Sequence, residues 1–172
     1  MIKNFEEISV KQLTANPFCA IGDEWMLVSA LNEKTGKYNT MTASWGGVGV
    51  LFHKPVAYVF IRPQRYTKQF VDGSDYLTLS FFGGEEKAAL TLLGRKSGRD
   101  CDKIKEAGLT PFVEGKIVGF TQAKTIFVCR KLYADELKPE KFIDLKIPTE
   151  VYAQNDYHTL YIVEIEKVLS KG

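Results

Sequence analysis

The sequence predicts a mainly β protein, an antiparallel barrel with added short helices. Short apolar runs that are typical of strands recur along most of the chain, whereas three stretches favour helix. Strands and helices do not alternate, so the chain lacks the repeating strand–helix–strand order of a parallel sheet with crossover helices. At 172 residues the chain is long enough for one domain with a substantial core. We therefore expect a single domain over residues 1–172.

Turn residues divide the N-terminal half of the chain into its expected elements. Asn16-Pro17 marks a turn after an N-terminal arm, and glycines at positions 46–49 mark a second turn. Pro63 ends the strand before it, because proline cannot donate a hydrogen bond to a sheet. The expected elements are an arm over 1–16, one or two strands within 18–32, strands at 39–45 and 56–61, and a short helix at 66–71.

The C-terminal half combines two expected helices with further strands. Gly108 is expected to end the second helix, because glycine readily adopts the left-handed conformation at a helix C-terminus. A polar excursion with Pro139 and Pro148 separates the last two strands. The expected elements are a strand at 76–82, helices at 85–93 and 97–109, a short β segment at 112–120, a strand at 125–133, the excursion at 134–156, and a strand at 158–168.

The composition argues against several classes of protein. The net charge of +2 is too small to indicate a nucleic-acid-binding protein. Three widely spaced cysteines without a CxxC motif, and two histidines, indicate neither a disulfide framework nor a metal site. No apolar run reaches the ~20 residues needed to cross a bilayer, and the first residues do not resemble a signal peptide. We expect a cytoplasmic protein without nucleic-acid or membrane partners.

The stretch at positions 39–67 carries the strongest functional signal. Three small hydroxyl side chains alternate along a predicted strand and would share one face, and an aromatic ring closes the row. The next strand ends in two arginines, whose guanidinium groups can form paired hydrogen bonds to phosphate. These residues are Thr40, Thr42, Ser44, Trp45, Arg62 and Arg65. They suit a phosphorylated planar cofactor; the alternative is a β-hairpin with a polar outer face and a charged turn.

A second cationic stretch lies at positions 95–103. Its four cations surround an expected loop and helix start, which is a place that attracts anions. The alternative is a solvated connection between two helices. A function as an anion-binding or nucleic-acid-binding module would rest on these two basic stretches alone.

Familiar catalytic motifs do not match. The glycines near position 47 lack the third glycine of a dinucleotide-binding turn, and Gly94-Arg95-Lys96-Ser97 lacks the leading glycine of a P-loop. Cys101 and His158 could act as nucleophile and base only if the fold brought them together, and nothing in the sequence indicates that it does.

Several segments match one known family in order and spacing. They are NTMTASW at 39–45, PVA at 55–57 continuing to RPQRYT at 62–67, YLTLSFF at 76–82, SGRDCDK at 97–103 and HTLY at 158–161. Over roughly residues 18–168 the chain resembles the flavin reductase-like, FMN-binding split-barrel family, and within it the flavoredoxin-like branch. Tyr157 stands where that family has an acidic residue before the histidine, and Val163 where it often has a glycine.

The resemblance implies a six-stranded antiparallel Greek-key split barrel with added short helices. It also implies a homodimer that holds FMN in a groove at the subunit interface, with the ring and ribityl chain along 39–45 and the phosphate near 62–67. Lys103 would pair with the phosphate or a ring oxygen. The implied cofactor-binding residues are Asn39, Thr40, Met41, Thr42, Ala43, Ser44, Trp45, Arg62, Gln64, Arg65, Tyr66, Thr67, Ser80, Phe82, Lys103 and His158.

The function implied by the resemblance is an FMN-dependent oxidoreductase. Flavin takes a hydride at N5 and passes on one or two electrons, so no protein acid or base is required and no catalytic residue is assigned. The electron donor would be NAD(P)H or a small redox protein. The alternatives are a reductase that releases its flavin to a partner oxygenase, and a non-enzymatic barrel that binds flavin or haem.

Overall fold

The computed structural model describes residues 4–171, so residues 1–3 of the expected arm, and Gly172, lie outside the described residues. The strands are β1 Glu6–Ile8, β2 Met26–Asn32, β3 Lys37–Ala43, β4 Gly46–Leu51, β5 Lys54–Ile61, β6 Tyr76–Phe81, β7 Pro111–Glu114, β8 Ile117–Phe120, β9 Thr125–Glu136 and β10 Thr159–Ser170. The helices are α1 Thr67–Asp72, α2 Lys87–Arg95, α3 Lys103–Glu106 and α4 Lys146–Val151. Single 3-10 turns lie at Val10–Gln12 and Pro139–Lys141, and a π-helical turn at Phe18–Asp23.

The described strands form one large sheet and one hairpin, all with antiparallel neighbours. Seven strands of the sheet follow the order β3-β2-β6-β9-β10-β5-β4, and β1 pairs with the C-terminal end of β10. β7 and β8 form the separate hairpin. The predicted class, mainly β and antiparallel with short helices, is confirmed. The predicted count of six strands is too low, because the large sheet has 8.

Strand β4 replaces the turn that the sequence predicts at 46–49. Its backbone pairs with β5 over the whole of Gly46–Leu51. The turn lies instead at Phe52 and His53, whose φ angles are 54° and 57°, as in the tight hairpin turns that match the twist of paired strands. The glycines argued against a strand, but pairing with a neighbouring backbone outweighs intrinsic propensity.

Two other expected elements are turns. At 18–23 the chain forms the π-helical turn instead of a strand, and the side chain of Asn16 accepts a backbone hydrogen bond at its start. At 97–102 the expected helix is an irregular turn, in which the side chain of Ser97 accepts a backbone N–H; that of Asp102 caps the short α3 that follows. Such local hydrogen bonds compete with helical ones.

Two apolar cores lie on opposite faces of the sheet. The inner core collects inward-facing side chains from most strands, including Val28, Val59 and Leu79. The outer core lies beneath α2 and the β7–β8 hairpin and includes Leu90 and Leu93. Because its apolar side chains recur one turn apart, α2 is held against the sheet along one face, which brings its C-terminus beside β3.

Among residues 4–171 no helix is long and apolar enough to cross a membrane. The same residues contain no group of three or more His, Cys, Asp and Glu side chains that could hold a metal ion.

Candidate functional site

Residues at the end of β3 line a cavity that we call the ring pocket. Its volume is about 250 Å³. β3 and the two residues after it supply one wall, the end of β5 a second, and the residue before β10 a third. The lining residues are Met41, Thr42, Ala43, Ser44, Trp45, Phe60, Arg62, Arg65 and His158.

A smaller cavity of about 150 Å³, which we call the cation pocket, lies between the start of α1 and the connection from α2 to α3. The lining residues are Gln64, Arg65, Tyr66, Thr67, Arg95, Lys96, Ser97 and Lys103. Arg65 lines both cavities, so the two are neighbours, and we refer to them together as the groove. Together they reach the lower end of the size range of small-molecule sites, about 300–1,000 Å³.

Arg65, at the junction of the two pockets, has an unfilled hydrogen-bonding position. Its Nη1 donates to the carbonyl oxygen of Gly94 at 2.7 Å, whereas its buried Nη2 has no partner among the described residues. Burial lowers the pKa of this guanidinium group. A buried charged donor without an acceptor is costly, so the geometry calls for an additional acceptor in the groove.

Lys103 is a second buried cation at the same end of the groove. It is 3% exposed, and its Nζ donates to the carbonyl oxygens of Leu93 and Lys96 at 3.1 Å each. Burial, together with the neighbouring charge of Arg65, lowers the pKa of Lys103 to about 8. The C-terminus of α2 offers both cations partial negative charge, but no carboxylate in residues 4–171 forms an ion pair with either. The two positive charges are therefore not balanced by a protein carboxylate, and a bound anion would balance them.

A buried contact joins β3 to α1 at Thr67, which lines the cation pocket. Asn39 Nδ2 donates to Thr67 Oγ1 at 3.0 Å, and both residues are buried. A Cβ atom on Gly98 would lie 2.5 Å from Asn39 Oδ1 and 3.3 Å from the ring of Tyr66. The turn at 97–102 can therefore pack this closely only because position 98 is glycine.

The three hydroxyl side chains at positions 40, 42 and 44 have different contacts. Thr40 is fully buried and its hydroxyl is hydrogen-bonded to that of Ser29 at 2.8 Å, so it does not line the groove. Thr42 Oγ1 donates to the carbonyl oxygen of Leu90 in α2 at 2.5 Å, although the residue borders the ring pocket. The hydroxyl of Ser44 makes no hydrogen bond within residues 4–171 and remains for a ligand.

Arg62 and Gln64 are held by the segment that precedes β10. Arg62 Nη1 forms an ion pair with Asp156 Oδ2, and its Nη2 donates to the carbonyl oxygen of Val151 at 3.2 Å. Gln64 Nε2 donates to the same Asp156 oxygen at 2.7 Å. The charge of Arg62 is therefore already balanced where it borders the ring pocket, unlike that of Arg65.

His158 and Trp45 form an aromatic wall of the ring pocket. Their ring centroids are 5.0 Å apart; His158 is 8% exposed and Trp45 is 48% exposed. His158 Nδ1 lies 2.8 Å from the hydroxyl oxygen of Tyr152. Burial lowers the pKa of His158 to about 4, and the positive charge of Arg62 acts in the same direction. The imidazole is therefore neutral at neutral pH.

The structure places Ser80 and Phe82 outside both pockets. Phe82 packs in the outer core, with its ring centroid 6.3 Å from that of Phe120. Ser80 is fully buried, and its hydroxyl has no partner among the described residues. Ser80 alternates with the inner-core residues Leu77 and Leu79 of β6, and Phe82 follows the strand.

Sequence reasoning did not single out three residues at the groove. Phe60 lines the ring pocket from β5, and Tyr152 and Asp156 come from the polar excursion at 134–156. No motif marks the two excursion residues, because their roles depend on contacts that form only when the excursion folds back against β5. The sequence signal that came nearest to finding them was the pair Asp156 and Tyr157 before His158, where the resembling family has an acidic residue next to the histidine.

No protein-family model matches the sequence, and no curated protein matches it. Solved structures match over nearly the whole chain. The FMN-binding domain of a flavin reductases-like enzyme from Shewanella baltica OS155 is 15% identical and superposes with a TM-score of 0.67, with 98% of this chain and 78% of that chain covered.

Two further solved structures are similar. Flavoredoxin of Desulfovibrio vulgaris (Miyazaki F) is 20% identical with a TM-score of 0.64, and the match covers 95% of this chain and 75% of that one. The FMN-binding protein from Thermus thermophilus, solved with bound 1-cyclohex-2-enone, is 20% identical with a TM-score of 0.63, over 96% and 78% of the two chains. At these identities the likeness shows the fold, and it confirms the fold that the matching segments implied.

Proposed function

We propose that this chain, which has the fold of the flavin reductase-like FMN-binding proteins, binds FMN in the groove and works as an FMN-dependent oxidoreductase. The observation that carries the proposal is the unpartnered Nη2 of Arg65 beside the buried ammonium of Lys103. A phosphate monoester dianion would accept from Nη2 and balance both charges. The residues present therefore fit the phosphate of FMN.

The rest of the groove suits the other parts of the cofactor. Trp45 and His158 offer ring faces or edges for a flat heterocycle, and aromatic contacts of this kind contribute about 0.5–1.5 kcal/mol beyond burial. The free hydroxyl of Ser44 offers a donor and an acceptor at the same wall. Arg65 lines both pockets, so a ribityl chain that runs from one pocket to the other would lie alongside Arg65.

The protein's part in the reaction is to bind, orient and shield. Bound FMN supplies the redox chemistry, since it accepts a hydride and passes on one or two electrons. The neutral imidazole of His158 offers a hydrogen bond without adding positive charge beside the ring. The hydrogen bonds of Asn39 and Thr42 fix β3 against α1 and α2, and so fix the wall against which the cofactor would rest. We propose NAD(P)H or a small redox protein as the electron donor.

The visible spectrum of the purified protein tests this proposal. We expect a flavin spectrum, or its appearance when FMN is added to apoprotein, together with quenching of tryptophan fluorescence. Anaerobic NADH or NADPH should then bleach the flavin absorbance. Bound FMN that neither nucleotide reduces would point to a protein donor, and FMN lost on gel filtration would point to a reductase that releases its flavin. Absence of FMN binding at millimolar concentration would refute the proposal.

A further inference from the structure

We propose that Tyr152 is a positioning residue that fixes the tautomer of His158, so that the imidazole presents its Nε2–H to the ring pocket. The consequence for flavin rests on the proposed function, whereas the tautomer itself is a property of the protein without cofactor. Tyr152 lies in the polar excursion, six residues before His158 and far in sequence from β3 and β5.

The direction of the hydrogen bond follows from the partners that are available. Tyr152 is 4% exposed, and the acceptor available to its hydroxyl within residues 4–171 is His158 Nδ1 at 2.8 Å. The backbone N–H of His158 also contacts this hydroxyl, but as a donor. If Nδ1 carried the proton and donated it, the hydroxyl proton would be buried without an acceptor. If the hydroxyl donates, both groups are satisfied. The second arrangement leaves the imidazole proton on Nε2.

The remaining ring nitrogen is free and accessible. Nε2 of His158 makes no hydrogen bond within the described residues and is not among their fully buried unpartnered atoms. His158 also lines the ring pocket, with its ring centroid 5.0 Å from that of Trp45. An N–H at Nε2 can therefore donate to a carbonyl oxygen or a ring nitrogen of a ligand in this pocket. A flavin ring carries acceptors of both kinds.

The ring of Tyr152 is held on several sides, which is what positioning requires. Tyr157 stacks on it with centroids 4.7 Å apart and planes 28° apart, and Phe142 lies at 5.9 Å. The guanidinium carbon of Arg62 lies 5.2 Å from the centroid of Tyr152. Arg62 is itself held by its ion pair with Asp156. Together these contacts hold the ring of Tyr152 so that its hydroxyl points at the imidazole of His158.

Nitrogen NMR of the imidazole rings tests the tautomer directly. Apoprotein labelled with ¹⁵N has two histidines to assign, and a His53→Gln variant identifies the signals of the exposed one. At neutral pH we expect His158 to show a protonated Nε2 and an unprotonated Nδ1. In Tyr152→Phe the Nδ1 signal should shift and a fraction protonated at Nδ1 should appear. Tyr157→Phe, the same change at the stacked neighbour, should leave both signals unchanged.

Flavin titration tests the consequence. Tyr152→Phe should weaken FMN and riboflavin equally, by about three- to tenfold, because the loss concerns the ring and not the phosphate. Tyr157→Phe should bind both as the wild type does. His158 protonated at Nδ1 in the wild type, or imidazole signals that are the same in Tyr152→Phe, would overturn the proposal. If no flavin binds, the proposed function fails, while the NMR result still decides the tautomer.

Discussion

Among single residues, Arg65 and Lys103 determine what the cation pocket can bind, because the fold buries part or all of their positively charged side chains. Arg65 is half-buried and Lys103 is buried, and both use part of their hydrogen-bonding capacity on carbonyl oxygens at the end of α2. Capping a helix would itself account for those bonds. Helix capping does not explain why the buried Nη2 of Arg65 has no acceptor among the described residues, whereas a bound anion would supply that acceptor.

Arg65→Ala should weaken FMN by about 10- to 150-fold and leave riboflavin nearly unchanged. A charge-assisted hydrogen bond contributes roughly 1.5–3 kcal/mol, about 1.4 kcal/mol corresponds to a factor of ten, and riboflavin lacks the phosphate. Fluorescence titration of both ligands into apoprotein measures the difference. Arg130→Ala, which removes the same charge on β9 away from the groove, is the matched control. Equal weakening of both ligands would show that Arg65 supports the ring or the fold instead.

The affinity for FMN should fall as pH rises through about 8. The protonated form of Lys103 attracts phosphate, and burial holds its pKa at about 8 in the unliganded protein. A bound dianion would raise that pKa, so FMN binding above it takes up a proton, and affinity falls by up to about tenfold per pH unit. In Lys103→Met the decline should vanish. Calorimetric titration in buffers of different ionisation enthalpy, from about pH 7 to about pH 9.5, measures the proton uptake; a flat wild-type profile would contradict the assignment.

At the scale of elements, the groove depends on how closely the turn at 97–102 approaches β3. Gly98 allows the approach, and the hydrogen bond between Asn39 and Thr67 lies directly beneath it. Neither β3 nor the turn forms a pocket alone. The short α1 contributes Thr67, and the C-terminus of α2 contributes the carbonyl oxygens that orient the cations.

Gly98→Ala should lower stability by about 1–3 kcal/mol, because the added Cβ would displace Asn39 in a packed environment. It should also weaken FMN, since the displacement reaches the wall of the cation pocket. Gly22→Ala is the control, because a Cβ there meets nothing within 4 Å and the φ angle is not strained. Urea unfolding and FMN titration measure the two effects; unchanged stability in Gly98→Ala would mean that the turn moves freely.

At the scale of the whole molecule, an exposed apolar surface lies next to the ring pocket. Strand β4 ends the strand order, so one of its edges is unpaired, and Val50 on it is 77% exposed. Phe18, Trp45 and Val48 line one further cavity beside this strand. Contiguous exposed apolar surface of this kind usually marks an interface. We propose that a second copy of the chain covers β4 and the open side of the ring pocket.

Val50→Asp should shift the protein from dimer to monomer and weaken FMN, because the ring pocket would lose its cover. An obligate interface buries above ~2,000 Å², and a buried unpaired carboxylate within it is strongly unfavourable. Val113→Asp, an exposed valine on the β7–β8 hairpin, is the matched control and should remain dimeric. Sedimentation velocity at micromolar concentration distinguishes the states. Wild-type holoprotein that sediments as a monomer would refute the proposed dimer.

The amino-acid sequence was sufficient to predict the mainly β class and most of the element positions. Strands at 39–45 and 76–82 were predictable because their side chains alternate, and the strand at 56–61 because it is a short apolar run that Pro63 ends. The groove's main components were predictable too, since the run at 39–45 and the two cationic stretches stand out chemically. The fold family followed from segments that match in order and spacing, and the superposed structures confirm the fold.

Which of those residues face the groove could not be predicted without the three-dimensional structure. Alternation along the sequence would put Thr40 and Ser44 on one face, yet Thr40 is hydrogen-bonded to a buried serine of β2, and Ser44, which follows β3, reaches the ring pocket. Arg62 and Arg65 look alike in sequence, but Arg62 is balanced by Asp156 from the excursion and Arg65 is not. β4 was missed for the same reason: its glycines form a strand because β5 offers a backbone to pair with. Alternation and propensity describe a residue's neighbours along the chain, whereas burial, charge balance and pairing depend on neighbours that are distant in sequence.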